Sequence, residues 1–278
     1  MDLQHLANIA IEAALSAGKI IQKYKDDNIA VEQKEGGSTY ASQVVTKVDR
    51  ECESIILSHL IPTCKRFDIG LLSEETNDDG SRFKKPFFWC IDPMDGTLAF
   101  INKHPGFSVA IALISRDGMP VIGVVFDPST ETLYHAIKGY GAYKNRRRWK
   151  IKNSNKHLTY ITDKKLSDTP NFTKIQNILN TYKSNLALKN IKEISGTGAV
   201  MCAILVIENG PACFLKLPKK EIGGGSIWDF AATACIYNEL GIAATNFKGE
   251  ILDLNKEGNT FMNHEGVFFA NLMLNSKK

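Results

Sequence analysis

Four apolar runs in succession limit what this chain can become: "FSVAIALI" (107–114), "MPVIGVVF" (119–126), "ETLYHAI" (131–137) and "GAYKN" (141–145). Each alternates or runs continuously in the manner of a strand, and turn chemistry separates them at Asp117-Gly118, Asp127-Pro128 and Gly139. The pattern predicts an antiparallel meander. Ahead of it, apolar residues at Leu6, Ile9, Ala10, Ala13, Ala17, Ile20, Ile21 and Tyr24 predict an amphipathic helix over about 2–25. The polar, Gly-containing stretch that follows, "KDDNIAVEQKEGGSTYASQ", reads as a mobile hairpin or loop. A second helix is expected from near Thr46 or Asp49 to a stop at Pro62. Then come a short strand in "DIGLLSEE" and a buried strand "PFFWCID" ending at Asp92.

Past residue 150 strands and helices alternate. Strands are expected at "LTYITD", "KEIS" and "ACFLKL". Helices are expected around 171–183, over 197–208 and at "IWDFAATACIYNEL", which Gly241 stops. That alternation is α/β in type. At 278 residues the chain is long for one hydrophobic core. The expected organisation is an antiparallel α+β half over 1–150, joined to an α/β half over 151–278, with a cleft between them.

No apolar run reaches the ~20 residues needed to span a bilayer. The N-terminal helix carries Asp2 and Glu12 and lacks the basic leader of a signal peptide, so the cytoplasm and no membrane partner are expected. Six scattered cysteines form no Cys-x-x-Cys pair and read as reduced core thiols, so any metal should be held by oxygen. The six histidines show no triad-like placement. A net charge of +4 names no partner. The one basic cluster, "KNRRRWK" (144–150), reads as a solvated hairpin tip rather than a nucleic-acid patch.

The chemistry is concentrated in "WCIDPMDGTLAF" (89–100). Pro93 bars Asp92 from helical backbone angles, and Asp-Pro-x-Asp suits a type I turn whose ends lie within about 7 Å. Both carboxylates, and the Met94 carbonyl, can then converge on one point. Two carboxylates ~6 Å apart repel by roughly 3 kcal/mol at an effective dielectric of about 20. No Lys, Arg or His in the segment offsets that repulsion, whereas a hard divalent cation with oxygen ligands does. Gly96 and Thr97 start the next element, where free N–H groups suit phosphate oxygens. Further acids close or open apolar segments: Glu74 and Glu75 after "GLLS", Asp229 after a Gly-rich loop, and Asp49 at the second helix. Taken singly, Asp92, Asp95, Asp49 and Asp229 also read as turn or helix-capping residues, and Glu74 as an exposed strand end.

Taken together, "TKVD" (46–49), "LLSEE" (71–75), "IDPMDGT" (91–97), "GFSVAIALI" (106–114), "SGTGAVMC" (195–202) and "IWDFAA" (227–232) resemble the inositol monophosphatase superfamily of Mg²⁺-dependent phosphomonoesterases. The resemblance implies a layered αβαβα sandwich, a homodimer, and two or three Mg²⁺ per active site. It implies Glu74, Asp92, Asp95, the Met94 carbonyl and Asp229 as ligands of the two tighter metal sites. Asp49 matches the acid of a third, weaker site and of the catalytic threonine. Thr97 and Glu74 match the pair that activates water. Asp95, Gly96, Thr97, Gly196, Thr197 and Asp229 match substrate-facing positions. Lithium inhibition is a further family expectation.

"SEE" and "GTLAFI" look closer to the 3′(2′),5′-bisphosphate nucleotidase branch, whose substrate is 3′-phosphoadenosine 5′-phosphate, than to the inositol branch. Inositol-type members carry an acid seven residues before the Trp-Asp aspartate. Here that position is Ile222, beside Glu221 and after Lys219 and Lys220, and two lysines would suit a second phosphate. Against this, Leu98-Ala99 stands where the nucleotidase pattern commonly has Lys-Glu. An inositol or sugar monophosphatase is the alternative. The remoter alternatives are an aspartyl-phosphate phosphatase, suggested by "MDGT", and a non-enzymatic nucleic-acid-binding protein using residues 144–150.

Overall fold

The computed structural model describes residues 1–28, 30–33, 44–151 and 156–272. In chain order the helices are α1 (Leu3–Tyr24), α2 (Lys47–Phe67), α3 (Ser81–Lys84), α4 (Thr97–Ile101), α5 (Phe172–Asn185), α6 (Ala199–Glu208) and α7 (Ile227–Leu240). The first strands are β1 (Val31–Gln33), β2 (Val44–Thr46), β3 (Ile69–Ser73), β4 (Phe87–Asp95), β5 (Ser108–Ser115), β6 (Pro120–Asp127), β7 (Thr132–Ile137), β8 (Gly141–Lys144) and β9 (Arg147–Arg148). The later strands are β10 (His157–Thr162), β11 (Asn190–Ser195), β12 (Ala212–Lys216), β13 (Ala243–Thr245) and β14 (Val267–Asn271).

Strands β3 to β9 form one sheet in sequence order, antiparallel from β4 onward, so the meander is present. Side-chain alternation gives this sheet two apolar faces. Trp89, Ile91, Val109, Ile111 and Leu113 pack with Leu6, Ala10, Ala17, Cys52 and Ile56 of α1 and α2. Phe88, Cys90, Ala110 and Ala112 pack with α6 and α7. Those two helices also meet Ile161, Phe214 and Phe269 of a second sheet, ordered β11-β10-β12-β14-β13. Ile175 and Leu179 of α5 cover the far face of that sheet. The layers therefore run helix, sheet, helix, sheet, helix, which is the αβαβα sandwich.

Small residues set the spacing at the centre. A Cβ on Gly123 of β6 would lie 2.2 Å from the Ala232 carbonyl oxygen of α7. With Ala110 and Ala112 beside it, the sheet admits α7 at close range, and the N-terminus of α7 is thereby placed.

Two local expectations are corrected. The helix α2 does not stop at Pro62 but runs to Phe67, with Asp68 as its left-handed cap. A mid-helix proline forfeits one hydrogen bond. Buried Leu60 and Thr63 hold the turn, and Thr63 Oγ1 accepts the indole N–H of Trp89 at 2.8 Å. Nor does the strand "PFFWCID" end in a turn at Asp92. It continues to Asp95 through a bulge: Asp92 pairs with Ala110 and Asp95 with Ser108, so one residue is extra. Pro93 has no N–H for the ladder, and a bulge extrudes the surplus.

The strands β1 and β2 pair antiparallel at the base of the polar segment after α1, while residues 29 and 34–43 of that segment lie outside the described residues. The basic stretch 144–150 forms the β8–β9 hairpin, with Asn145 and Arg146 both at positive φ, as a two-residue turn requires. Among the described residues, no helix is long and apolar enough to cross a membrane.

Candidate active site

The acids expected to work together are delivered by four different elements. Asp92 and Asp95 flank the bulge in β4, and Asp229 is the third residue of α7. One carboxylate oxygen from each lies within 4.8 Å of the others. Glu74 follows β3, its N–H donating to the Ile91 carbonyl at 3.1 Å. Its charge reaches Asp49, Asp92, Asp95 and Asp229 alike.

Asp49 and Asp229 each serve a helix end as well. Asp49 Oδ2 accepts the Thr46 N–H at 2.7 Å and the Thr46 hydroxyl at 2.6 Å, completing a capping box on α2. Asp229 Oδ2 likewise accepts the Ser226 N–H at 2.5 Å. Capping therefore takes one carboxylate oxygen of each acid and leaves the second for other partners. The other Asp49 oxygen, Oδ1, lies 3.0 Å from the Thr97 hydroxyl, which is also 3.1 Å from the Met94 carbonyl oxygen.

Asp95 is fixed by the start of α6, whose Ala199 and Val200 N–H groups donate to its two oxygens at 3.0 and 2.9 Å. Gly198 makes this approach possible: a Cβ there would stand 2.2 Å from Asp95 Oδ2. Its φ of −61° suits any residue, so the restriction is purely one of space. Gly198→Ala should accordingly cost about 1–3 kcal/mol of stability and displace Asp95. Thermal melts and turnover would both fall, and a variant with unchanged turnover would show that the position of Asp95 does not matter.

The electrostatics are unfavourable without a cation. Burial, then the charges of Glu74, Asp95 and Asp229, push Asp92 well above the usual carboxylate range. Burial, followed by the charge of Asp229, does the same to Asp95 against the pull of its two N–H donors. Asp229 and Asp49 are each raised to about 6, by burial first and by Glu74 among the other causes. Asp92 Oδ1 accepts the Met94 N–H at 3.1 Å, but Oδ2 is buried with no hydrogen-bond partner. A buried carboxylate oxygen with no donor, facing other acids, fits a divalent cation and little else.

Comparison with known proteins decides the family. The inositol monophosphatase family matches residues 2–277. The chain belongs to that family. Inositol-1-monophosphatase of Synechocystis sp. is 30% identical over 255 residues, 91% of this chain and 83% of that one. The 3′(2′),5′-bisphosphate nucleotidase CysQ of Aggregatibacter actinomycetemcomitans is 28% identical over 274 residues, 97% of this chain and 92% of its own. The crystal structure of CysQ from Bacteroides thetaiotaomicron superimposes with a TM-score of 0.74 at 27% identity, covering 96% of this chain and 97% of that one. As an inositol monophosphatase family member the chain is a phosphatase, a phosphoric monoester hydrolase acting on small phosphate esters.

The structure also brings together residues that the sequence reading passed over. Glu53, one turn beyond Asp49 on α2, is buried and accepts the Ser73 hydroxyl and, at 3.0 Å, the Thr76 hydroxyl. These two donors bracket Glu74 and Glu75, so Glu53 braces the loop that presents Glu74. The spacing Asp49-x-x-x-Glu53, one helical face, was the available signal. Asp163 and Lys216, which pair at 2.7 Å, were also missed, because nothing in "YITD" or "FLKL" links them. Gly196 (φ 97°) and Thr197 form the turn between β11 and α6, with Thr197 Oγ1 3.1 Å from Cys202 Sγ. Ile222 is half exposed, and Asn263 Nδ2 donates to the Lys219 and Lys220 carbonyls, holding that loop by its backbone.

Proposed function

We propose that this phosphatase is a Mg²⁺-dependent, cytoplasmic, homodimeric 3′(2′),5′-bisphosphate nucleotidase, converting 3′-phosphoadenosine 5′-phosphate to AMP and phosphate. The observation that carries the metal-dependent part is the buried, donorless Asp92 Oδ2 within a cluster of like-charged acids. An all-oxygen donor set of this kind suits Mg²⁺ over softer metals. In this reading Glu74, Asp92, Asp95, Asp229 and the Met94 carbonyl hold the ions, with Asp49 at a weaker site. When bound, Mg²⁺ supplies charge cancellation on the phosphate and a lowered pKa for an attacking water.

The chain's own residues do the rest. Asp95 is immobilised by α6, which holds its carboxylate in one orientation. Thr97 offers a hydroxyl that can take a proton from the attacking water while passing its own to Asp49 Oδ1, 3.0 Å away. In this reading Glu74, on the loop that Glu53 braces, orients that water. The N–H groups of Gly96 and Thr97 face the phosphate oxygens, and the turn at Gly196 and Thr197 faces the leaving group.

The nucleotide assignment is supported by CysQ relatives that align over nearly the whole chain in sequence and in structure. Inositol-1-monophosphatase is the second reading, supported by the 30% identical Synechocystis relative. A phosphate-release panel with Mg²⁺ separates them. With 3′-phosphoadenosine 5′-phosphate, inositol 1-phosphate and fructose 1,6-bisphosphate, the first should be preferred. A tenfold preference for either of the others overturns the assignment.

A further inference from the structure

We propose that Arg82 is a positioning residue for the ion-binding crevice: its guanidinium ties the loop that carries Glu74 to the segment that seats Asp229. It thereby sets how far apart those two acids stand. The proposal rests on the reading above of both acids as ion ligands.

A buried arginine needs partners, because an unpaired charge out of water is costly. The Arg82 side chain is 3% exposed, and its donors go to two distant segments. Nε donates to Asp78 Oδ2 at 2.6 Å, four residues beyond Glu74 in the same loop. Nη1 donates to Asn255 Oδ1 at 2.8 Å and to the Lys256 carbonyl at 3.0 Å, 173 and 174 residues farther along the chain. Asn255 Nδ2 returns the contact, donating to the Arg82 carbonyl at 3.2 Å and the Arg116 carbonyl at 2.8 Å. Gly70 lets this turn sit close on β3, since a Cβ there would stand 2.9 Å from the Ser81 carbonyl carbon.

From Asn255 the contacts run on to the acid cluster. Lys256 Nζ donates to the Phe261 carbonyl at 2.6 Å and so closes that stretch of chain on itself. Phe261 bridges to Ser226. On either side of that bridge the Ile227 N–H donates to the Thr260 carbonyl and the Met262 N–H to the Gly225 carbonyl, both at 2.9 Å. These bonds fix the start of α7, where the Ser226 N–H holds Asp229 Oδ2. Hydrogen bonds and short backbone links therefore join Asp78 to Asp229 outside both large sheets. The Cys90 thiol on β4 lies within reach of the charges of Arg82, Asp78 and Asp229 alike, which places the three close together.

The need for such a tie is electrostatic. Glu74 heads a loop whose residues 76–79 are exposed, and its charge opposes those of Asp92, Asp95 and Asp229. Repulsion alone would swing that loop away from α7. A clamp keeps the oxygens within reach of one ion, so that binding does not have to draw them together. Arginine suits the task because its planar fork serves acceptors in two directions at once, whereas an ammonium is a point charge.

Arg82→Lys, Asn255→Ala and a control under α5, Leu179→Ala, test this on the full chain by calorimetric titration with Mg²⁺ beside thermal melts in chelator. Arg82→Lys keeps the charge without the fork, and Asn255→Ala removes the far acceptor, so each should weaken Mg²⁺ binding tenfold or more. The double variant should bind no more weakly than the weaker single one, because both cut one path. Turnover lost at low Mg²⁺ should return as Mg²⁺ is raised. Leu179→Ala should lower Tm through its cavity and leave the Mg²⁺ dissociation constant alone. Should Arg82→Lys fail to fold, Asn255→Ala decides. Wild-type Mg²⁺ affinity in either folded variant, or an equal loss in Leu179→Ala, makes Arg82 an ordinary structural cation and overturns the proposal while the metal reading stands. A wild-type protein that binds no Mg²⁺ overturns both.

Discussion

Asp92→Asn should abolish Mg²⁺-dependent phosphate release and, at the same time, make the metal-free protein harder to melt. The side chain is 1% exposed, with one oxygen on the Met94 N–H and the other without a donor. Asparagine keeps the first bond, removes a buried charge that Glu74, Asp95 and Asp229 all oppose, and adds an N–H donor toward those acids. A gain of roughly 2 kcal/mol, or several degrees in Tm, is expected in chelator. The cost falls on turnover, since an amide cannot replace a carboxylate as an ion ligand. A loss on the order of 10³-fold corresponds to the several kcal/mol that charge cancellation supplies. The opposite signs on stability and activity are the diagnostic result. A variant that is destabilised and inactive would indicate an ordinary structural carboxylate, and one retaining a tenth of its Mg²⁺-dependent turnover would remove Asp92 from the metal site.

The second large effect is on stability against pH. Asp49 and Asp229 are raised from 3.8 to about 6 in the folded protein. Between those values the folded state holds protons that the unfolded chain has released, so folding is favoured at the acid end and weakens as pH rises through the window. Each shift of about two units corresponds to on the order of 3 kcal/mol. Carboxyls that partners hold low, such as Asp79, Asp117 and Glu265, act below their ordinary values and leave this window alone. His135, which burial lowers from 6.5 to about 4, acts in the window with the opposite sign and offsets part of what the two acids contribute. In chelator, Tm should therefore be higher at pH 5 than at pH 7. Adding Mg²⁺ should raise Tm most at pH 7 and progressively less toward pH 5, where protons compete for the same oxygens. Melts across pH 4.5–8 with and without Mg²⁺ measure this directly. A metal-free Tm that climbs from pH 5 to pH 7 even when His135→Gln removes the opposing imidazole would mean the acids do not share one crevice.

Much of the site was legible before any fold was known, because its residues break the local pattern around them. Asp92 and Asp95 interrupt an apolar strand, and Asp229 opens a helix that is otherwise apolar, so each stands out against its neighbours. The helix-capping reading of Asp49 and Asp229 was legible too, and the structure bears it out, since each acid gives one oxygen to its helix. Glu53, by contrast, sits in a helix with ordinary amphipathic spacing, and only the return of Ser73 and Thr76 across the core gives it a task. The turn expected at Asp92–Asp95 became a bulge because sequence shows that proline ends the ladder locally, but not that Ser108 is waiting to resume it.

By itself the sequence determined the period of each element, the meander, the left-handed stop at Gly241, and the identity of the acids, because those depend on neighbours along the chain. The tertiary structure alone decided that Gly123 would let α7 sink onto the sheet, that α6 would spend its first N–H groups on Asp95, and that Lys216 and Asp163 would meet. These are contacts between segments 50 to 110 residues apart. Close packing and the mutual repulsion of buried charges settle them, and neither leaves a mark on any single stretch of chain.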